Sequence, residues 1–289
     1  MADNRKIDDV TGVETTGHEW DGIMELNKPL PKWWLYVLYL CIVWSLGYWI
    51  AYPAWPMLSG YTKGVIGFSQ RDAVAGELLK ARASQAKFRA EIVARSFEDI
   101  QAEPELMQFA IAGGRAAFGD NCAGCHGRGA QGFKGFPNLN DDDWIWGGSL
   151  EAIHQTVQQG VRNGGDGARD SAMPRFGLDG VLEKTQISDA ADYVLNISAQ
   201  PHDAEAAGRG APLYADNCAV CHGEKGEGNR DLGAPKLSDG IWLYGGAKAD
   251  IVKSIETGRG GVMPAWAARL DAETIKKLAI YVHSLGGGE

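Results

Sequence analysis

The sequence predicts a mainly α-helical chain with one N-terminal transmembrane helix, a helical stalk and two tandem copies of one small lobe. Three observations predict this. An uncharged, aromatic-rich run lies near the N-terminus, an Ala-rich segment with helical spacing follows it, and an internal repeat fills the remainder. The expected divisions are an arm (1–32), a membrane helix (33–55), a stalk (56–112), a first lobe (113–200), a linker (201–207) and a second lobe (208–289).

Charge bears on partners before structure does. The chain of 289 residues carries a net charge of -9. Residues 1–32 hold four Lys/Arg and seven Asp/Glu. Residues 113–200 hold seven against eleven, and residues 207–289 hold ten of each. No basic patch recommends nucleic acid as a partner. Two readings of the acidic first lobe stand side by side: steering of a basic protein, and plain solubility.

No charged residue falls between Lys32 and Lys63. The nineteen residues Trp33 to Ala51 are long enough to cross a hydrocarbon core of ~30 Å as a helix. Trp33, Trp34, Trp49, Tyr52 and Trp55 sit at its ends, where interfacial aromatics belong. Pro53 and Pro56 stop it. The run starts too late and is too long for a cleaved signal segment. Flanking Lys28, Lys32, Lys63 and Arg71 leave its orientation open.

The stalk is argued from periodicity. Val74, Leu78, Phe88, Ile92 and Phe97 follow a helical spacing, so one long amphipathic helix is expected over residues 69–101, interrupted by Pro104. It reads equally as a docking surface and as a solvated linker.

The repeat is explicit. Phe118-Gly-Asp-Asn-Cys-Ala-Gly-Cys-His-Gly127 matches Tyr214-Ala-Asp-Asn-Cys-Ala-Val-Cys-His-Gly223. Trp144-Ile-Trp-Gly-Gly matches Trp242-Leu-Tyr-Gly-Gly, Met173-Pro174 matches Met263-Pro264, and Ala190-Ala-Asp-Tyr-Val matches Leu278-Ala-Ile-Tyr-Val. Two copies are too few for a solenoid. Each lobe of about 85 residues has a marginal core alone, and a large apolar cofactor inside it would supply buried surface.

Cys122-x-x-Cys125-His126 and Cys218-x-x-Cys221-His222 are c-type haem attachment motifs. Two thiols a helical turn apart suit the two vinyl groups of one porphyrin, and the adjacent His supplies an axial ligand to the iron. Two covalent haem c groups are therefore expected. A redox dithiol would want a thioredoxin-like context, and a zinc site would want its Cys pairs closer together. Met173 and Met263 occupy equivalent places 47 and 41 residues after His126 and His222, and are the candidate sixth ligands. The carbonyls of Pro137 and Pro235 could hold the ligand His through Nδ1, or these prolines could simply stiffen the loop. His18, His154, His202 and His283 read as ordinary polar residues, Met57 and Met107 as packing residues, and Cys41 as a small apolar side chain.

This order of parts resembles the dihaem subunit, subunit III, of cbb(3)-type cytochrome c oxidases. The resemblance covers essentially the whole chain. Its specific part is Trp20-Asp-Gly-Ile-Met-Glu-Leu-Asn-Lys-Pro-Leu-Pro-Lys-Trp-Trp34, which looks like the family's arm. The resemblance implies two class I cytochrome c lobes, with proximal ligands His126 and His222 and distal ligands Met173 and Met263. It implies no catalysis by the chain itself. Electrons would pass from a donor cytochrome c through the two haems toward the monohaem subunit and the oxygen-reducing haem–copper subunit. Haem c is attached outside the bacterial cytoplasmic membrane, so the lobes would be periplasmic and residues 1–32 cytoplasmic, in the inner membrane. The family also raises exchange of the Met ligands between lobes, while one self-contained repeat favours pairing within each; the pairing stays open. A free-standing tethered shuttle and a dihaem peroxidase are the competing functions. Met ligation of both irons speaks against the peroxidase. The extra length at Asn163–Ala172 marks a Gly-rich loop expected to shape a docking surface near the first haem.

Overall fold

The computed structural model describes residues 5–287. They form two compact units that divide in sequence between Ala83 and Ser84.

The first unit begins with an antiparallel hairpin, β1 (Thr15–Trp20) and β2 (Ile23–Leu26), in which Trp20 pairs with Ile23 and Glu19 with Met24. Asp21 and Gly22 form its turn with φ of 48° and 85°. Positive φ at both central residues matches the right-handed twist of the strands. This hairpin was not among the expected elements. Helix α1 (Lys32–Ala51) follows and buries none of its residues within the chain. Its serine hydroxyl is satisfied within the helix, Ser45 Oγ donating to Cys41 O at 2.7 Å. α1 is the one described helix long and apolar enough to cross a membrane. At Tyr52 the chain turns extended, and the short pair β3 (Pro56–Met57) and β4 (Gly60–Tyr61) follows.

Helix α2 (Gln70–Ala94) is shorter than the expected 69–101 helix. Ser96 ends the run by capping a new helix, α3 (Phe97–Ala102), its hydroxyl accepting from Asp99 N at 3.1 Å. Pro104 opens α4 (Pro104–Asn121) instead of merely interrupting a helix. Proline at the first helical position loses no hydrogen bond and has a suitable φ. Leu106 and Ala110, placed in the stalk by the sequence, are therefore buried core residues.

The second unit continues with α5 (Ala123–His126), α6 (Leu150–Gln159), α7 (Lys184–Ile197), α8 (Ala204–Asn217), α9 (Ala219–His222), α10 (Lys248–Thr257) and α11 (Ala272–His283). Packing is exchanged between the repeats. The last helix of the second repeat, α11, lies on α4 and α6 of the first. The last helix of the first repeat, α7, lies on α8 and α10 of the second. Residues 113–200 and 208–289, expected to close each on itself, thus share two mixed cores. One joins Phe118, Ile153 and Val157 to Ile275, Leu278 and Val282. The other joins Phe176, Ile187 and Val194 to Tyr214, Ile251 and Ile255. The apolar stripes of α7 and α11 are equivalent, so each can serve the other's lobe.

Candidate functional site

The first site is an apolar cavity of about 340 Å³, lined by Cys122, Cys125, His126, Trp144, Trp146 and Met263 among others. Helix α4 ends at Cys122, and α5 presents Cys125 and His126 one turn later. Gly127, with φ of 81°, ends that turn. Met263 arrives from the second repeat. It forms an antiparallel bridge with Val161, with Val161 N donating to Met263 O at 3.0 Å and Met263 N to Val161 O at 2.9 Å. Asn163 Nδ2 also donates to Met263 O, at 3.1 Å.

The donor chemistry suits a haem. His126 Nδ1 lies 3.1 Å from Pro137 O, which leaves Nε2 as the nitrogen free to ligate. Burial lowers the His126 pKa, against a smaller upward effect of the Pro137 carbonyl, so the ring is neutral near pH 7. Burial pushes the Cys122 thiol up to about 11, and Cys125 adds to the effect.

The second site repeats this frame. Cys218 and His222 are buried, and His222 Nδ1 lies 2.9 Å from Pro235 O. Burial lowers the His222 pKa and raises Cys218 to about 11. Met173, from the first repeat, packs against the core cluster that contains Cys218. Trp242 Nε1 is buried without a hydrogen-bond partner among the described residues. A buried orphan donor costs free energy, and a bound group with an acceptor would relieve it.

The two carbonyl contacts favour the His-holding role for Pro137 and Pro235. Sequence reasoning missed Arg162 and Asp143, which also line the first cavity. Arg162 Nε donates to Gly261 O at 2.8 Å and Nη1 to Ser171 O at 3.0 Å, so it ties the approaches to both Met residues. Asp143 is raised to about 6, by burial first and then by Asp239 and Asp141. The 163–172 loop is braced against α6: Arg169 Nε donates to Thr156 Oγ1 at 2.9 Å. His154 packs edge-on against Phe97, as an ordinary core-rim residue does. Among the described residues, no cluster of three or more His, Cys, Asp or Glu could hold a metal ion.

Comparison with known proteins agrees with this layout. Residues 12–59 match the family described as the N-terminal domain of cytochrome oxidase-cbb3, FixP. Residues 109–194 and 205–282 match cytochrome c oxidase, cbb3-type, subunit III. The chain is 54% identical over 284 residues to the cbb3-type cytochrome c oxidase subunit FixP of Azorhizobium caulinodans, covering 98% of this chain and 96% of that protein. It is 52% identical over 296 residues to the CcoP subunit of Azospirillum brasilense, covering all of both. It is also 52% identical over 276 residues to the CcoP subunit of Cereibacter sphaeroides, covering 95% of each.

Proposed function

The chain belongs to the subunit III family of cbb3-type cytochrome c oxidases, the FixP/CcoP proteins, and we propose that it carries two haem c groups with axial ligands exchanged between its repeats. It is an electron-transfer subunit, and its cytochrome c domains bind haem c. Cys122 and Cys125 would hold one group and Cys218 and Cys221 the other. His126 with Met263, and His222 with Met173, would supply the axial pairs. The observation that carries this is the placement of Met263 in the cavity of Cys122, Cys125 and His126.

Haem bound there would supply one-electron chemistry. The residues keep it there. The Pro137 and Pro235 carbonyls fix the ring orientation of His126 and His222. Met263 and Met173 would offer thioethers, which favour the ferrous state of a bound haem. With a histidine and a methionine for each group, neither site would offer substrate an open position, so we read the chain as a carrier and not itself a catalyst.

Helix α1 fits a membrane anchor. In the proposed arrangement it crosses the inner membrane once, with residues 1–32 cytoplasmic and the haem lobes periplasmic. Partners are the catalytic haem–copper subunit, the monohaem cytochrome c subunit and a donor cytochrome c. Family membership disfavours the free-standing shuttle and the dihaem peroxidase. Mild-detergent purification tests the reading. Co-migration with b-type haem and copper, at two haem c per chain, supports it. A lone dihaem species would mean a shuttle instead.

A further inference from the structure

Two aromatic residues at equivalent repeat positions, Trp146 and Tyr244, each reach to the loop that holds the other repeat's ligand histidine. Each ring lies in the other repeat's haem frame. The Trp146 indole is packed so tightly on Gly233 that a Cβ there would overlap it. Gly233 stands two residues before Pro235, whose carbonyl holds His222. Tyr244 lies on Gly135, where a Cβ would stand 3.5 Å from Tyr244 Cε1. Gly135 stands two residues before Pro137, whose carbonyl holds His126. The Tyr244 hydroxyl also reaches the opposite wall of the first site, 3.6 Å from a Cβ built on Gly261, two residues before Met263. A direct hydrogen bond joins the same loops, Gly135 N donating to Leu243 O at 2.7 Å. Trp146 and Leu243 both line the first cavity.

Each ring is covered by a cation. Arg169 Cζ is 5.4 Å from the Trp146 ring centroid, and Arg259 Cζ is 5.3 Å from that of Tyr244. A guanidinium over the face locks the ring in place. It also opposes removal of an electron from the ring, so the ring serves as a contact and not as a stopping place.

We propose that Trp146 and Tyr244 form the electron contact between the two haem sites. The step moves one electron from ferrous iron at one site to ferric iron at the other. No bond forms or breaks, and both rings keep their electrons. Tunnelling weakens steeply across gaps, and each ring lies against the loop that holds the other repeat's ligand histidine. The inference rests on the two-haem reading above.

The test uses the purified full-length holo-chain in detergent. A pulse of reductant loads one electron, and its redistribution between the haems is followed optically. Midpoint potentials and the thioether-to-ferric charge-transfer band are recorded for each protein. Tyr244→Leu is expected to slow redistribution severalfold with potentials and band retained, Trp146→Leu to slow it severalfold as well, and Trp146→Phe and Tyr244→Phe to retain most of the rate. Unchanged redistribution in the Leu variants would overturn the proposal. If Trp146→Leu fails to fold, Tyr244→Leu decides alone. A wild-type chain with one haem, or without the charge-transfer band, would instead sink the two-haem reading.

Discussion

Gly160 lies directly against the backbone of Met263, so that a Cβ on it would overlap the Met263 carbonyl oxygen. The relationship is reciprocal: a Cβ on Gly258 would overlap the carbonyl oxygen of Met173. Both glycines end their helices with positive φ, 71° and 60°. Each repeat thus seats the Met of the other at the end of its own middle helix.

Gly160→Ala is expected to move Met263 and so disturb the site of His126. The strained φ alone should destabilise the fold by more than about 1 kcal/mol. Absorbance should show part of the thioether charge-transfer band lost and carbon monoxide binding gained at one haem. Gly258→Ala should do the same at the site of His222.

Asp192 is buried on α7 and joins α7 to α10, its Oδ2 lying 2.5 Å from Lys248 Nζ. It also accepts from Asp203 N at 3.3 Å. Asp192→Ala should cost about 1–3 kcal/mol in thermal or denaturant unfolding by leaving polar groups unpaired. Lys248→Met should cost more, because it strands the buried Asp192 carboxylate, whereas the Lys248 ammonium left by Asp192→Ala is half exposed and can stay hydrated.

Glu273 ties the exchanged helix α11 to the end of α2 through Arg89 Nη2, at 2.6 Å, and pairs with Lys277. Lys277 is buried, 4.1 Å above the Phe109 ring centroid. Glu273→Ala strands that ammonium and should cost about 3 kcal/mol. Hydrogen exchange should show α11 loosened in Glu273→Ala and much less so in Lys277→Met.

Asp143 gives a pH dependence with a definite sign. Its carboxyl is raised from 3.8 to about 6 in the folded chain. The folded state then binds more protons than the unfolded state between those values, so stability falls as pH rises through that window. Asp143→Asn should be more stable than the wild type at pH 7 and equal to it below pH 4. Paired denaturant titrations at the two pH values check this.

Much of the architecture was legible in the sequence because it depends on composition and spacing. The uncharged run marks α1, and the duplicated motifs mark both sites. The exchange was not legible, because Ala190–Val194 and Leu278–Val282 carry nearly the same pattern and local periodicity cannot choose between equivalent faces. One difference did hold a signal: Asp192 stands where the other repeat has Ile280. The carboxylate needs a cation and finds Lys248, whereas Ile280 is fully buried in the other core. The arm hairpin carried a turn signal in Asp21-Gly22. Pro104 was misread because proline both ends and begins helices, and only the buried face of α4 tells which.

The most direct test of the exchanged ligand sets is proton NMR of the ferrous, diamagnetic holo-chain. The Met263 ε-methyl should show through-space contacts to the haem attached at Cys122 and Cys125. The Met173 ε-methyl should show them to the haem attached at Cys218 and Cys221. The opposite pairing, with each Met on the haem of its own repeat, would contradict the account.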